Sequence, residues 1–215
     1  PGCVDYLDQE MVFSHVNEGE MNLGDATTSA FTLFEAIDLD VSYLGRDFLK
    51  CCGHDQKWQG LTEVFDKLKA YNQKKIQQSG IDTLVSSCAE CFRTFARDYE
   101  LEDIKVMHTT EFLIEQGFDM NLKAEEETTV TYHDPCRLGR QMGVYEEPRE
   151  LIQSVEGVSI VEMEHSGEDA MCCGVSSMMS CNENARALRV ARMEEIKSTG
   201  ADLSLIHISA TTRPE

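Results

Sequence analysis

Between Thr28 and Ile37 the apolar residues Ala30, Phe31, Leu33, Phe34 and Ile37 recur at the spacing of one helical face. Val41 to Leu44 reads as a short strand. Leu61 to Gln78 predicts an amphipathic helix with Val64, Phe65, Leu68, Tyr71 and Ile76 on one side, and Gly80 is a natural stop for it. A buried-type strand follows over Ile81 to Ser86, then a helix over Ala89 to Tyr99. Ile104 to Met107 and Phe112 to Ile114 predict another strand and helix. The acidic stretch Lys123 to Thr129 reads as a connection between domains. Beyond it, Val130 to Tyr132 predicts a strand, Arg149 to Ser154 a helix, Val158 to Met163 a strand and Asn184 to Ser198 a long helix. Leu203 to Ile208 alternates like a strand before the chain trails off at Ser209 to Glu215. Strands alternating with helices imply an α/β fold whose sheets are mainly parallel and covered on both faces.

The pattern also repeats. Cys51-Cys52-Gly53 recurs as Cys172-Cys173-Gly174, 121 positions later. Ile76-Gln77-Gln78-Ser79-Gly80-Ile81-Asp82 recurs as Ile196-Lys197-Ser198-Thr199-Gly200-Ala201-Asp202, 120 positions later. Two landmarks agreeing on the offset within one residue point to a tandem duplication of one α/β unit. The expected organisation is a first cysteine-rich domain over 1–122, an incomplete second over 130–202 and an atypical tail over 203–215. The chain opens Pro1-Gly2-Cys3 without Met and is read as a processed chain or a gene fragment, its tail foreign or frame-shifted.

Composition narrows the chemistry. With 215 residues, 41% hydrophobic, 27% charged and 4 Pro, the chain can bury a core and is not of disordered type. Its net charge of −20 repels phosphate backbones, which excludes nucleic acid as the main partner. No apolar run approaches the ~20 residues of a membrane span, and no signal peptide opens the chain. The 9 cysteines are odd in number and partly paired as Cys-Cys or Cys-x-x-Cys, so metal or redox chemistry in a reducing compartment fits better than a secreted disulfide framework.

Cys88 and Cys91 lie where a predicted strand meets a helix, the carboxyl edge of a parallel sheet, and the Cys51-Cys52 pair follows a short loop that reaches the same edge. With Cys3 they make five thiols, a donor set that suits a multinuclear iron–sulfur centre or zinc. Adjacent cysteines point in different directions and suit bridging several irons, while Gly53 allows close backbone approach. A four-cysteine structural zinc site and a thioredoxin-like dithiol at Cys88 and Cys91 are the alternatives.

The arrangement resembles the cysteine-rich CCG-domain family, of pattern C-x(n)-CCG-x(n)-C-x-x-C. That family includes the B-type and D-type components of heterodisulfide reductase and the iron–sulfur subunits of glycolate, lactate and glycerol-3-phosphate oxidoreductases. Cys3, Cys51, Cys52, Cys88 and Cys91 match the first copy; His133-Asp134-Pro135-Cys136 and Cys172-Cys173 match the second. The resemblance implies two tandem Rossmann-like units holding [4Fe–4S] clusters, noncubane in heterodisulfide reductase, with these cysteines as ligands. At an offset of 120 the second Cys-x-x-Cys falls on Ile208 and Thr211, so that site keeps Cys136, Cys172 and Cys173, and Cys181 reads either as a substitute ligand or as a spare buried thiol. The family's strand before Pro-Gly-Cys is absent here.

His54, His108 and His133 lie near these segments, and His133 is the candidate proton donor to a leaving thiolate. Arg137, Arg140 and Arg149 flank Cys136 and would balance a negative cluster or attract an anionic substrate, unless simply solvated. Arg186, Arg189 and Arg192 read as a solvated helix face, and Met163, Met171, Met178 and Met179 as packing. No ferredoxin-type C-x-x-C-x-x-C run is present, so electrons arrive from a partner. The reading is an iron–sulfur subunit of an oxidoreductase, cytoplasmic or peripheral to a membrane through a partner. It works with a flavoprotein and a ferredoxin-like subunit on a disulfide or a quinone-linked substrate. The rival is a zinc-stabilised, non-catalytic scaffold that docks a dehydrogenase.

Overall fold

A computed structural model describes residues 24–45, 47–118, 121–174, 182–207 and 210–212. The chain divides into two compact units between Phe112 and Leu113. The first contains α1 (Gly24–Ala36), α2 (His54–Trp58), α3 (Thr62–Ser79), β1 (Thr83–Ser86), α4 (Ala89–Asp98) and β2 (Lys105–His108), with α5 (Thr109–Glu115) spanning the division. Strands β1 and β2 pair in parallel, Leu84 opposite Val106. Their α4 crossover packs against both strands, so Phe95 and Leu84 join Phe65, Ile76, Tyr99 and Leu101 in one core. The Tyr99 ring meets Phe95 edge-on at 4.8 Å and Phe65 at 6.3 Å. Cys52 and Cys91 belong to this same core.

Two expectations for this unit are corrected. The buried stripe of α3 runs through Phe65, Asn72 and Ile76, leaving Val64 and Tyr71 exposed at 46% and 38%. Val64 and Tyr71 each sit one residue, about 100°, round the helix from a buried neighbour. Val41 to Leu44 forms no strand, because no described strand lies beside it to pair its backbone groups. Tyr43 instead packs its ring edge-on against Phe31 of α1 at 5.4 Å.

The second unit contains β3 (Lys123–Tyr132), α6 (Gly139–Met142), α7 (Glu146–Gln153), β4 (Glu156–Ile160), α8 (Glu183–Ser198), β5 (Leu203–His207) and β6 (Ala210–Thr212). The sheet order is β4-β3-β5-β6, with β3 parallel to both β4 and β5 and β6 antiparallel at the edge. The chain leaves β3 to one side for β4 and then crosses to the other side for β5. That reversal puts a topological switch point at the carboxyl ends of β3 and β5, where α/β sheets bind ligands.

Here too the structure revises the reading. Lys123 to Thr129 is not a connection but the first part of β3, exposed at Lys123 and Glu125 to Glu127, half-buried at Thr128 and Thr129, and in the core from Val130 to Tyr132. The residues assigned to an atypical tail open inside the sheet, since Leu203, Ser204 and Leu205 pair with Val130, Thr131 and Tyr132. Asp202 fastens that entry by accepting from the Thr129 N–H and hydroxyl at 2.8 and 2.6 Å.

The duplication is visible in the details. Helices α3 and α8 end at Gly80 and Gly200 with φ of 72° and 67°, one turn after the buried Ile76 and Ile196. Each then leads to a parallel strand, β1 or β5. Two tandem α/β units with mainly parallel sheets are what the alternation and the repeat require.

Candidate metal centre

Cys51, Cys52 and Gly53 immediately precede α2. Gly53 adopts φ 82° and ψ 9°, and its N–H points at the Cys51 sulfur, 3.5 Å away. A Cβ there would lie 2.7 Å from the Phe65 ring, so the turn both needs the left-handed region and lacks room for a side chain. Cys88 lies just past the carboxyl end of β1 and caps α4, its sulfur accepting from the Cys91 N–H at 3.5 Å. Cys91 sits in the first turn of α4, and its sulfur is 3.3 Å from that of Cys52. Motifs 39 positions apart in the chain thus bring their thiols into contact.

Their electrostatics are those of crowded, buried thiols. The neighbouring Cys51 thiol, reinforced by burial, pushes the Cys52 thiol up. Cys52 and then Cys88, with burial adding, do the same to Cys91. Cys88 goes the other way, to about 7, because the Cys91 thiol and N–H favour its thiolate against the effect of burial. A cavity of about 430 Å³ lies against Cys52 and Cys91, lined also by Phe34, Leu84, Ser86 and Phe95. Soft donors, an apolar wall and space beside the sulfurs fit a thiolate-held metal centre.

In the second unit Cys136 follows β3 at the switch point. Gly174 repeats the Gly53 turn, with φ 76° and its N–H 3.3 Å from the Cys172 sulfur. The free cysteines include Cys51, Cys52, Cys88, Cys91, Cys136, Cys172 and Cys173, whereas Cys3 and Cys181 lie outside the described residues. Thr211, which stands where a second Cys-x-x-Cys would end, is in β6.

The histidines and arginines are largely occupied by protein groups. His54 is buried with Nδ1 3.0 Å from Asp55 and 3.7 Å from Glu90; His108 Nδ1 pairs with the Thr110 hydroxyl at 2.8 Å. His133 Nδ1 accepts from Arg192 Nε at 2.8 Å. A guanidinium only donates, so the imidazole proton sits on Nε2. Arg192 is therefore not on a solvated face; it is 2% exposed and also donates to the His165 carbonyl and Glu195. Of the arginines near Cys136, Arg140 holds the carbonyls of Glu168 and Ala170. Arg149 forms a two-pronged pair with Asp134 at 2.7 and 2.8 Å and also binds Glu162.

Burial would push Asp134 up, but the Arg149 guanidinium and the Gly167 N–H hold it below the usual carboxylate range. A depressed folded value means that the stability it contributes is present above the ordinary pKa and is lost as pH falls through the folded one. Asp134→Asn is expected to cost about 2 kcal/mol at pH 7, and its gap from wild type to shrink below about pH 4. Urea unfolding at both pH values checks this; a gap independent of pH would refute it.

A family model described as a cysteine-rich domain matches the chain twice, at residues 27–96 and 130–210. The chain belongs to the cysteine-rich CCG-domain family. Both matches take in a CCG turn, and the first also takes in Cys88 and Cys91. The chain is 34% identical over 179 residues to a subunit of the dihydromethanophenazine:CoB–CoM heterodisulfide reductase of Methanosarcina acetivorans, covering 78% of this chain and 44% of that one. It is 33% identical over 156 residues to a subunit of the fumarate reductase (CoM/CoB) of Methanothermobacter marburgensis, covering 71% and 31%. A probable iron–sulfur-binding oxidoreductase, FadF of Bacillus subtilis, is 32% identical over 138 residues, covering 61% and 20%. The chain spans less than half the length of these relatives. No solved structure matches it.

Proposed function

We propose that this CCG-family chain is the iron–sulfur part of an oxidoreductase, heterodisulfide-reductase-like in passing electrons toward a disulfide. The contact of the Cys52 and Cys91 sulfurs at 3.3 Å, each beside a second motif cysteine, carries the reading. Cys51, Cys52, Cys88 and Cys91 hold the centre, with Cys3 as the fifth ligand by the family's motif. A [4Fe–4S] cluster held there would supply one-electron transfer, and its noncubane form is what the resemblance to heterodisulfide reductase implies. The residues around it do the rest. Phe65, Leu84 and Phe95 exclude water from the sulfurs, and the N-terminus of α4 favours the Cys88 thiolate. Cys136, Cys172 and Cys173 form a second, incomplete site. There Arg192 holds His133 as the neutral imidazole with its proton on Nε2, so His133 would steady a leaving thiolate by an Nε2–H hydrogen bond.

The named relatives include parts of a heterodisulfide reductase and a fumarate reductase, which supports partner subunits for this chain; the partners proposed are a flavoprotein and a ferredoxin-like protein. We place it in the cytoplasm, peripheral to a membrane where a partner is. Among the described residues no helix is long and apolar enough to cross one. The contact of the Cys52 and Cys91 sulfurs would also suit a zinc-held site, which makes a docking scaffold the second reading. Anaerobic purification with iron, sulfide and zinc analysis separates the two. Near-equal iron and sulfide, about four of each per chain, is the expected result. About one zinc per chain without sulfide would reject the redox reading.

A further inference from the structure

Asn72 sits in the middle of α3, completely buried, in phase with Phe65 and Ile76 on a stripe that is otherwise apolar. A buried amide there is costly unless its hydrogen bonds are made. They are. Its Oδ1 accepts from the Lys50 N–H at 2.8 Å, and its Nδ2 donates to the carbonyls of Lys50 and Cys51 at 3.2 and 2.9 Å. One of its two N–H groups is shared with the Tyr99 hydroxyl at 3.2 Å, which in turn donates to the Cys52 carbonyl at 3.0 Å. Two buried side chains, from α3 and from the end of α4, therefore grip three successive carbonyls leading into the CCG turn. Neither touches a sulfur through these bonds.

The other unit does the same job with a different residue. Position 192, 120 beyond Asn72, is the buried Arg192 of α8. It reaches back to His133, three residues before Cys136, and to the His165 carbonyl on the approach to Cys172. In both repeats this helix position is thus a buried polar side chain tied to the segments that deliver the cysteines.

We propose that Asn72 and Tyr99 are positioning residues for the first cysteine site, an amide–phenol clamp that sets the backbone of Lys50–Cys52 and hence the directions of the two adjacent thiols. The inference rests on the reading that these thiols hold a metal centre. Fixing the backbone beforehand removes an ordering cost that metal binding would otherwise carry, so the clamp acts on affinity and ligand geometry together. Tyr99 packs its ring on Phe65 and Phe95, so Tyr99→Phe removes the hydroxyl while keeping the core filled. Asn72→Leu removes the amide half of the clamp, leaving the Tyr99–Cys52 bond, and takes away the Asn72 acceptor of the Lys50 N–H.

The test is Co(II) titration of the full chain, metal-free and without oxygen, followed by thiolate-to-cobalt charge-transfer and ligand-field absorption. Tyr99→Phe should weaken Co(II) binding about five- to tenfold, the loss of roughly one hydrogen bond, and Asn72→Leu more. At saturating cobalt both should show a changed ligand-field spectrum, which mere loss of stability would not produce. Circular dichroism identifies the folded variants, and Tyr99→Phe carries the test if Asn72→Leu unfolds. Wild-type affinity and spectrum in a folded Tyr99→Phe would overturn the clamp while leaving the metal site standing. No cobalt binding by wild type would overturn the site and the clamp with it.

Discussion

Cys52→Ser is expected to strip the reconstituted chain of most of its iron, whereas Cys173→Ser leaves iron content nearly unchanged. Cys52 is the thiol at the centre of the first site, adjacent in sequence to Cys51 and 3.3 Å from the Cys91 sulfur. A serine hydroxyl is a hard, high-pKa donor in a setting built for soft sulfur. Losing even an outer hydrogen-bonding partner costs a metal site about 10–100-fold in affinity, and losing a central ligand costs more. Cys173 belongs to a set that lacks the Cys-x-x-Cys pair, with Ile208 and Thr211 in its place. Iron content and visible absorption of the two variants, prepared side by side without oxygen, decide the matter. Equal losses would show that the second site assembles as well.

The largest effect on folding is expected at Gly174. Its φ of 76° is one that an L side chain adopts at a cost of about 1 kcal/mol or more. A Cβ at this position would also meet the Ala185 carbonyl oxygen at 2.7 Å and Arg189 Cγ at 2.8 Å. The first obstacle is backbone of α8 and cannot swing aside, so Gly174→Ala should cost about 3 kcal/mol in all. Gly80 is the internal control. It has nearly the same φ, 72°, but nothing lies within 4 Å of an added Cβ, so Gly80→Ala should cost only about 1 kcal/mol. Urea denaturation of the two variants reads the difference directly. Equal costs would mean that the close approach of the CCG turn to α8 contributes nothing.

What could be read from the chain follows from where the information is local. The extents of α3 and α8, the stops at Gly80 and Gly200 and the strand-to-helix junction at Cys88 are all encoded by near neighbours, and the structure has them within a residue or two. The 120-residue repeat extended that reading to the second unit. Lys123 to Thr129 defeated it because a strand can keep solvent-facing side chains while its backbone pairs, as Lys123 does with Glu156, and composition alone cannot tell it from a loop. Val41 to Leu44 failed for the opposite reason, since apolar alternation makes a strand only where a neighbour pairs with it. Buried polar residues were harder still. Asn72 and Arg192 interrupt helical faces in a way that reads as solvent exposure, and only the carbonyls, the histidine and the carboxylate they reach reveal their purpose. The one available signal was phase, because Asn72 lies seven residues after Phe65 and four before Ile76.

Cys52 and Cys91 are core residues as well as candidate ligands, packed with Phe65, Ile76, Leu84 and Phe95. A metal held by these thiols would therefore link its supply to the survival of the polypeptide. A group that binds only the native state stabilises it by about 2.7 kcal/mol at a hundred times its dissociation constant, and the same amount is withdrawn when supply fails. In a cell short of iron the first unit would open more often, and proteases act on the opened fraction. The abundance of such a protein would then follow the iron supply with no dedicated regulator, because nascent chains that fail to acquire their centre are the ones degraded first.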